Sequence, residues 1–246
     1  MSEEFVGRDL RGARFVESDL SGVVMRGVDI AGADIDAPWI TDGDSTFWIN
    51  GVDVAPLVEA ELSRRLPGRA DRRAQEPDAL RDAWASVERA WAGALERVAT
   101  MPAGTVDVSV AGEWSFAQTL RHLVMATDIW LGKAVLEREH PFHPIGLPDA
   151  TFDGDAADFN PAAPAYAEVL EVRAGRVAMV RDFLATVTQE DLAVVRTNPH
   201  NASRTETTLH CVLVILEEEW EHLRFATRDL DTIASSAESA ASPTGP

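Results

Sequence analysis

Phe5, Leu10, Phe15, Leu20, Met25, Ile30 and Ile35 recur every five residues at the start of this chain. An α-helix repeats its faces about every 3.6 residues and a strand about every 2, so a beat of five fits neither. Small or aliphatic residues stand two places before the beat, at Ala13, Val23, Val28 and Ala33. Aspartate stands directly before it, at Asp9, Asp19, Asp29 and Asp34. The expectation is a run of short extended rungs, with Leu10, Leu20 and Ile30 pointing inward and the aspartates outward. A repeat this short has too few neighbours of its own kind to bury a core.

The rest of the chain changes period. A short strand is expected at Thr46 to Asn50, and the polar run SRRLPGRADRRAQEPD then reads as a linker. From residue 78, Leu80, Trp84, Val87, Trp91, Leu95 and Val98 fall at steps of three and four, giving one apolar helix face that ends at Pro102 and Gly104. Ser115 with Gln118 has the spacing of a capping box and starts a second helix. A long loop rich in Pro and Gly, EREHPFHPIGLPDATFDGDAADFNPAAP, follows; loops of that length in compact domains are often functional. A third helix is expected from about Pro164 to Val187, and a fourth from a second capping box, Ser203 with Glu206, to about Ile233. Four long helices with one long crossover predict a four-helix bundle. The organisation expected is a β segment at 1–50, a linker at 51–77, a helical bundle at 78–232 and a disordered tail at 233–246.

Charge narrows the partners. Acidic side chains number 41 against 22 basic ones, a formal net charge of −19. Such a chain is repelled by nucleic acid and by anionic membrane surfaces, so neither is expected as a partner. The opening MSEEFVGRDLRG has no basic start and no apolar run, so no signal peptide is expected. One cysteine, Cys211, forms no intrachain disulfide and suits a reducing cytoplasm. No Gly-rich phosphate loop, CxxC pair or nucleophile elbow is present.

The chemistry concentrates in CVLVILEEEWEHLRFATRDL, residues 211–230. Cys211, Ile215, Glu218, His222 and Phe225 step by four, three, four and three and share one helix stripe. Three of the five want burial, which carries Glu218 and His222 inward with them. Glu217 and Glu221 turn away and are expected in solvent; Glu219 is ambiguous. A buried carboxylate must be paired or coordinated. One solution is an ion pair with His222, helped by Arg173, Arg176 or Arg181. The other is a metal chelated at i and i+4 from one helix face, with a third ligand from His122, which sits in the apolar run TLRHLVMATDIW. His210 is twelve residues before His222, roughly 18 Å along a helix, and cannot share the same ion. His140, His143 and His200 read as loop residues, and Cys211 as a core thiol.

The residues also carry two resemblances. The five-residue beat resembles a pentapeptide-repeat segment, which implies a short right-handed, four-sided β-solenoid. WSFAQTLRHLV, EVRAGRVAMVRDFL and HCVLVILEEEWEHLRFATRDL together resemble the DinB-like superfamily over about residues 78–232. The fold class implied is mainly α, a DinB-like four-helix bundle preceded by the pentapeptide-repeat-like segment. The resemblance implies a divalent metal, with zinc as the first choice, held by His122, Glu218 and His222. Most members have His where this chain has Glu218, and the mycothiol-dependent isomerase branch is similar in using Glu there.

The function implied is that of a metal-dependent thiol S-transferase or isomerase. It would use a low-molecular-weight thiol such as mycothiol as cosubstrate and act on a small electrophilic molecule. Two His and one Glu leave a fourth position open, the arrangement of catalytic zinc. Trp114, Gln118 and His143 are candidates to line a substrate pocket, with the loop from His140 to Pro148 as a further wall, while Trp130 reads better as a packing residue. Two other readings stay open: a non-catalytic metal-binding scaffold and a metal-dependent hydrolase. A homodimer is a further expectation, with the N-terminal segment capping the bundle or shaping the dimer.

Overall fold

The structure is a computed structural model that describes residues 4–16, 18–40, 43, 45–149, 152, 154–160 and 162–241. It divides into two units, one ending at Ala37 and one beginning at Pro38.

In the first unit the sequence beat of five becomes a structural beat of ten. Leu10, Leu20 and Ile30 each open a turn whose carbonyl accepts the N–H three residues on, from Ala13, Val23 and Ala33 at 3.0, 3.0 and 2.9 Å. Gly12, Gly22 and Gly32 take φ of 76°, 73° and 76° in these turns, a conformation open to glycine at no steric cost. The aspartates before the beat support the same turns. Asp9, Asp19 and Asp29 accept N–H bonds from Arg11, Ser21 and Ala31, two residues on.

The expected solenoid does not form here. No strand is assigned among the described residues of this unit, and all of them are exposed. Leu10, Leu20 and Ile30 are each 47% exposed where burial was expected. The physical reason is length: about one and a half coils supply the turns but not the stacked neighbours that would close a core over them.

The second unit opens with a hairpin, β1 (Trp48–Ile49) against β2 (Val52–Asp53). Four long helices follow: α2 (Pro77–Ala99), α3 (Phe116–Thr127), α4 (Tyr166–Thr186) and α6 (Thr208–Ala241). Helix α3 continues as a π-helix over Asp128–Val135. Helix α2 packs on α4 and α6, and α3 packs on the same two, which closes a four-helix ring. The face of α2 foreseen from its spacing is buried through Leu80, Trp84, Val87, Trp91 and Val98. Helix α3 starts at the expected capping box, with Ser115 N–H donating to Gln118 Oε1 at 2.9 Å. Apart from Gln118, α3 is buried on every side, as befits the central element of a bundle.

Three expectations are corrected. The polar stretch after the hairpin is folded. It holds α1 (Ala55–Arg65) and a 3-10 turn (Arg69–Arg73), and Arg69 and Arg72 are each only 1% exposed. Gly68 allows the close approach: its φ is +96°, and a Cβ there would lie 2.6 Å from Ser86 Cβ. The fourth helix does not start at Ser203. Residues 195–197 and 205–207 pair as β3 (Val195–Thr197) and β4 (Thr205–Thr207), with the turn organised by Asn198 and Asn201. Glu206 accepts from Asn198 Nδ2 at 2.9 Å, and the cap passes to Thr207, whose hydroxyl accepts from His210 N–H at 3.1 Å. The chain expected to be disordered from 233 stays helical to Ala241, while 242–246 lie outside the described residues. A four-residue helix, α5 (Gln189–Leu192), links α4 to β3.

Candidate metal centre

Helix α6 carries four carboxylates within five residues, and each meets something different. Glu217 accepts from Arg72 Nε at 2.7 Å. Glu219, 1% exposed, pairs with Arg173 of α4. Glu221, 5% exposed, accepts from Arg69 and from Arg224, both at 2.9 Å. The expectation that Glu217 and Glu221 point into solvent is therefore wrong, because the folded 55–73 segment covers that face with arginines. Among the described residues no arginine or lysine pairs with Glu218. Its Oε2 faces His122 Nε2 at 3.4 Å and His222 Nδ1 at 3.3 Å.

The imidazoles are oriented by carbonyls. His122 Nδ1 lies 3.1 Å from Leu147 O, and His222 Nδ1 lies 2.9 Å from Glu218 O. A carbonyl oxygen only accepts, so each Nδ1 carries a proton, which in a neutral ring leaves the lone pair on Nε2. The rings are stacked at 4.7 Å between centroids. Burial drives the imidazolium form of His222 down, His122 adds to this, and the pKa falls to about 4 against the opposing pull of Glu218. His222 is thus neutral near pH 7. On Glu218, burial is the largest influence and pushes the carboxyl up. The neighbouring imidazoles of His122 and His222, whose protonated forms favour the carboxylate, outweigh it, so the net shift is downward even with Asp149 nearby.

This geometry fits a divalent ion. His122 Nε2 presents a lone pair to a carboxylate oxygen 3.4 Å away, a contact between two acceptors that only a cation or a proton between them resolves. Ligands about 2.1 Å from a tetrahedral ion stand roughly 3.4 Å apart, which is the spacing of His122 Nε2 and Glu218 Oε2. Donor atoms of His122, Glu218 and His222 all lie within 4.8 Å of one another, the sole such trio among the described residues. Nδ1–H donation to a carbonyl is the usual support for a metal-bound histidine. Glu218 keeps 31% of its side chain in solvent, so the centre is reachable from outside.

The other expected site residues divide. Trp114 is at the centre, its ring 4.5 Å from His122 and 6.0 Å from His222. Gln118 lies one turn before His122, but its Oε1 is committed to the cap. His143 is elsewhere: its N–H donates to the buried Asp128 at 2.9 Å, and its Nδ1 accepts from Ile145 N–H at 3.2 Å. Among the described residues no bond joins His143 to the trio. Trp130 packs against His200 and His210. Arg173 and Arg176 serve Glu219 and Asp128, and Arg181 serves Glu88, so none is the counter-ion of Glu218. Sequence reasoning missed Leu147 and Arg121, which tie the long loop to the site. The one available signal was Arg121 itself, a basic residue in a helix that carries no acidic one.

The fold and site together define a helical bundle with a three-donor centre between two of its helices. Residues 86–226, more than half of the chain, match the DinB superfamily, and the chain belongs to it. Residues 5–36 match pentapeptide repeats (8 copies). No curated protein and no solved structure matches the chain. Among the described residues, no helix is long and apolar enough to cross a membrane.

Proposed function

We propose that His122, Glu218 and His222 bind a divalent metal ion, zinc in the first instance, and that the centre activates a low-molecular-weight thiol of the mycothiol kind. The reaction is S-transfer to, or thiol-assisted isomerisation of, a small electrophile. One observation carries the reading: of four carboxylates on one stretch of helix, three are met by arginine and Glu218 alone by two imidazoles, each with its Nδ1 on a main-chain carbonyl.

When bound, the ion supplies a positive charge that favours thiolate over thiol near neutral pH. The chain's own residues do the rest. His122 and His222 each keep Nδ1 on a main-chain carbonyl, and His222, held neutral by burial, need lose no proton to act as a ligand. Glu218 adds the negative charge and remains open to solvent on one side, which suits a site that admits substrate better than a closed structural one. Trp114 forms an apolar wall beside both rings. The reacting thiol comes from outside the protein. Cys211 is fully buried, and burial pushes its pKa up to about 11, so it is no nucleophile near neutrality.

The test is metal analysis of the purified protein followed by thiol consumption with mycothiol, bacillithiol or glutathione over a panel of electrophiles. Glu218→Gln should keep the bundle's circular dichroism and lower metal affinity by at least about tenfold, with turnover tracking occupancy. A metal-replete protein that consumes no thiol would sink the transferase reading in favour of a metal-binding scaffold. Ester or amide cleavage without thiol would favour a hydrolase.

A further inference from the structure

Arg121 is a buried arginine of an unusual kind. It is 6% exposed, yet among the described residues its guanidinium meets no carboxylate. Nε donates to Ile145 O at 2.8 Å and Nη2 to Asn160 O at 3.3 Å, so it spans two points of the 137–165 loop. Its own carbonyl accepts the N–H of Leu147 at 3.2 Å. The carbonyl of that same Leu147 faces His122 Nδ1 at 3.1 Å. Both polar groups of the Leu147 main chain are therefore held by two consecutive residues of α3, and the arginine holds the loop on either side. A charge this buried is costly to keep where an apolar side chain could pack, which calls for a task that only its donors perform.

We infer that Arg121 is a positioning residue for the metal centre: by pinning the loop at Ile145 and Asn160 it keeps the Leu147 carbonyl on His122 Nδ1, and so keeps Nε2 turned toward Glu218. The inference rests on the metal reading above, but the ring orientation it concerns is present before any ion binds. Without the pin the Leu147 carbonyl moves off, the ring has no preferred proton site, and the fraction with a free Nε2 lone pair drops. Loss of such a supporting partner typically costs metal affinity about 10–100-fold.

The experiment uses the full chain, metal-free, with isotope-labelled histidine, and reads the His122 tautomer by proton–nitrogen correlation at fixed pH. Zinc affinity is read separately by competition with a chelator. Wild type should show the Nδ1–H form, Arg121→Met a mixture of tautomers with zinc affinity down about 10–100-fold, and Arg121→Lys, which keeps a charged donor, an intermediate result. If Arg121→Met fails to fold by circular dichroism, Arg121→Lys carries the test. A folded Arg121→Met that keeps the Nδ1–H form overturns the inference, as does weaker zinc binding with no change of tautomer. Wild type that takes up no zinc overturns the metal reading instead, and the tautomer measurement then still decides whether Arg121 sets His122.

Discussion

Two places along α6 hold almost the same parts. At one, Trp130 lies against His200 and His210, with Glu206 beside them. At the other, Trp114 lies against His122 and His222, with Glu218 between. Each has a tryptophan, two histidines and a glutamate, yet only the second brings three donor atoms together. At the first, His210 is 49% exposed and stands 3.6 Å from Glu206, whose other oxygen is taken by Asn198. Neither His200 nor His210 has its ring tied to a main-chain carbonyl among the described residues. At the second, Leu147 O and Glu218 O tie both rings. The difference lies in the carbonyls behind the ligands more than in the ligands themselves.

The sharpest way to break this comparison is to truncate one histidine at each place. His222→Ala should reduce zinc affinity by more than the roughly 10–100-fold expected from losing a mere supporting partner, while His210→Ala should leave it unchanged in the same chelator competition. Equal losses would mean that the carbonyl argument is wrong. The stability cost of His222→Ala should stay below the about 3–5 kcal/mol of a broken buried pair, because Glu218 keeps water on one side.

A second, smaller effect is read in pH. The folded His222 has a pKa of about 4 against an ordinary 6.5. Between those values the unfolded chain binds the proton that the folded chain refuses, so metal-free stability should fall as pH drops from 6.5 toward 4. The loss is at most about 3 kcal/mol and is complete below the folded pKa. Urea unfolding of wild type and His222→Ala at several pH values checks this, with the variant expected to be flatter over the window. Identical slopes would remove the electrostatic contrast.

The smallest effect expected is none at all. Cys211, beside His210, should resist alkylation by iodoacetamide at neutral pH in the folded protein and react fully in urea, as its burial and its pKa of about 11 require. Fast labelling of the native state would show that the His210 region opens, and would bring the chain's own thiol back into the chemistry.

How much of this was legible in the residues depends on how local each cause is. The α2 face and the Ser115–Gln118 cap declare themselves within one or two turns, and both are found where expected. The trio was legible because i, i+4 spacing puts Glu218 and His222 on one stripe with core residues. The 55–73 segment was not. Arg69 and Arg72 stand in a polar run that read as a linker, and their partners on α6, Glu221 and Glu217, stand about 150 residues away in sequence. Glu217 and Glu221 were misread for the same reason. The Ser203–Glu206 pattern failed differently, because the same letters suit a hairpin once Asn198 and Asn201 fold the chain back. The π-helix at Asp128–Val135 has no apolar period to announce it.

The distribution of partners along α6 has a consequence for how the helix is indexed. Glu217 and Glu221 answer to Arg72 and Arg69 of one turn, Glu218 to the imidazoles and Glu219 to Arg173 of α4. A slide by one residue would deliver Glu217 or Glu219 to His122, carry His222 out of place, and take from Arg173 its buried anion. The charges act as a key with a single setting, the best-attested use of buried ionic groups. Inserting or deleting one residue upstream in α6 is therefore far more disruptive than replacing any one of these side chains, and grafting the centre onto another scaffold requires carrying the arginines along with the ligands.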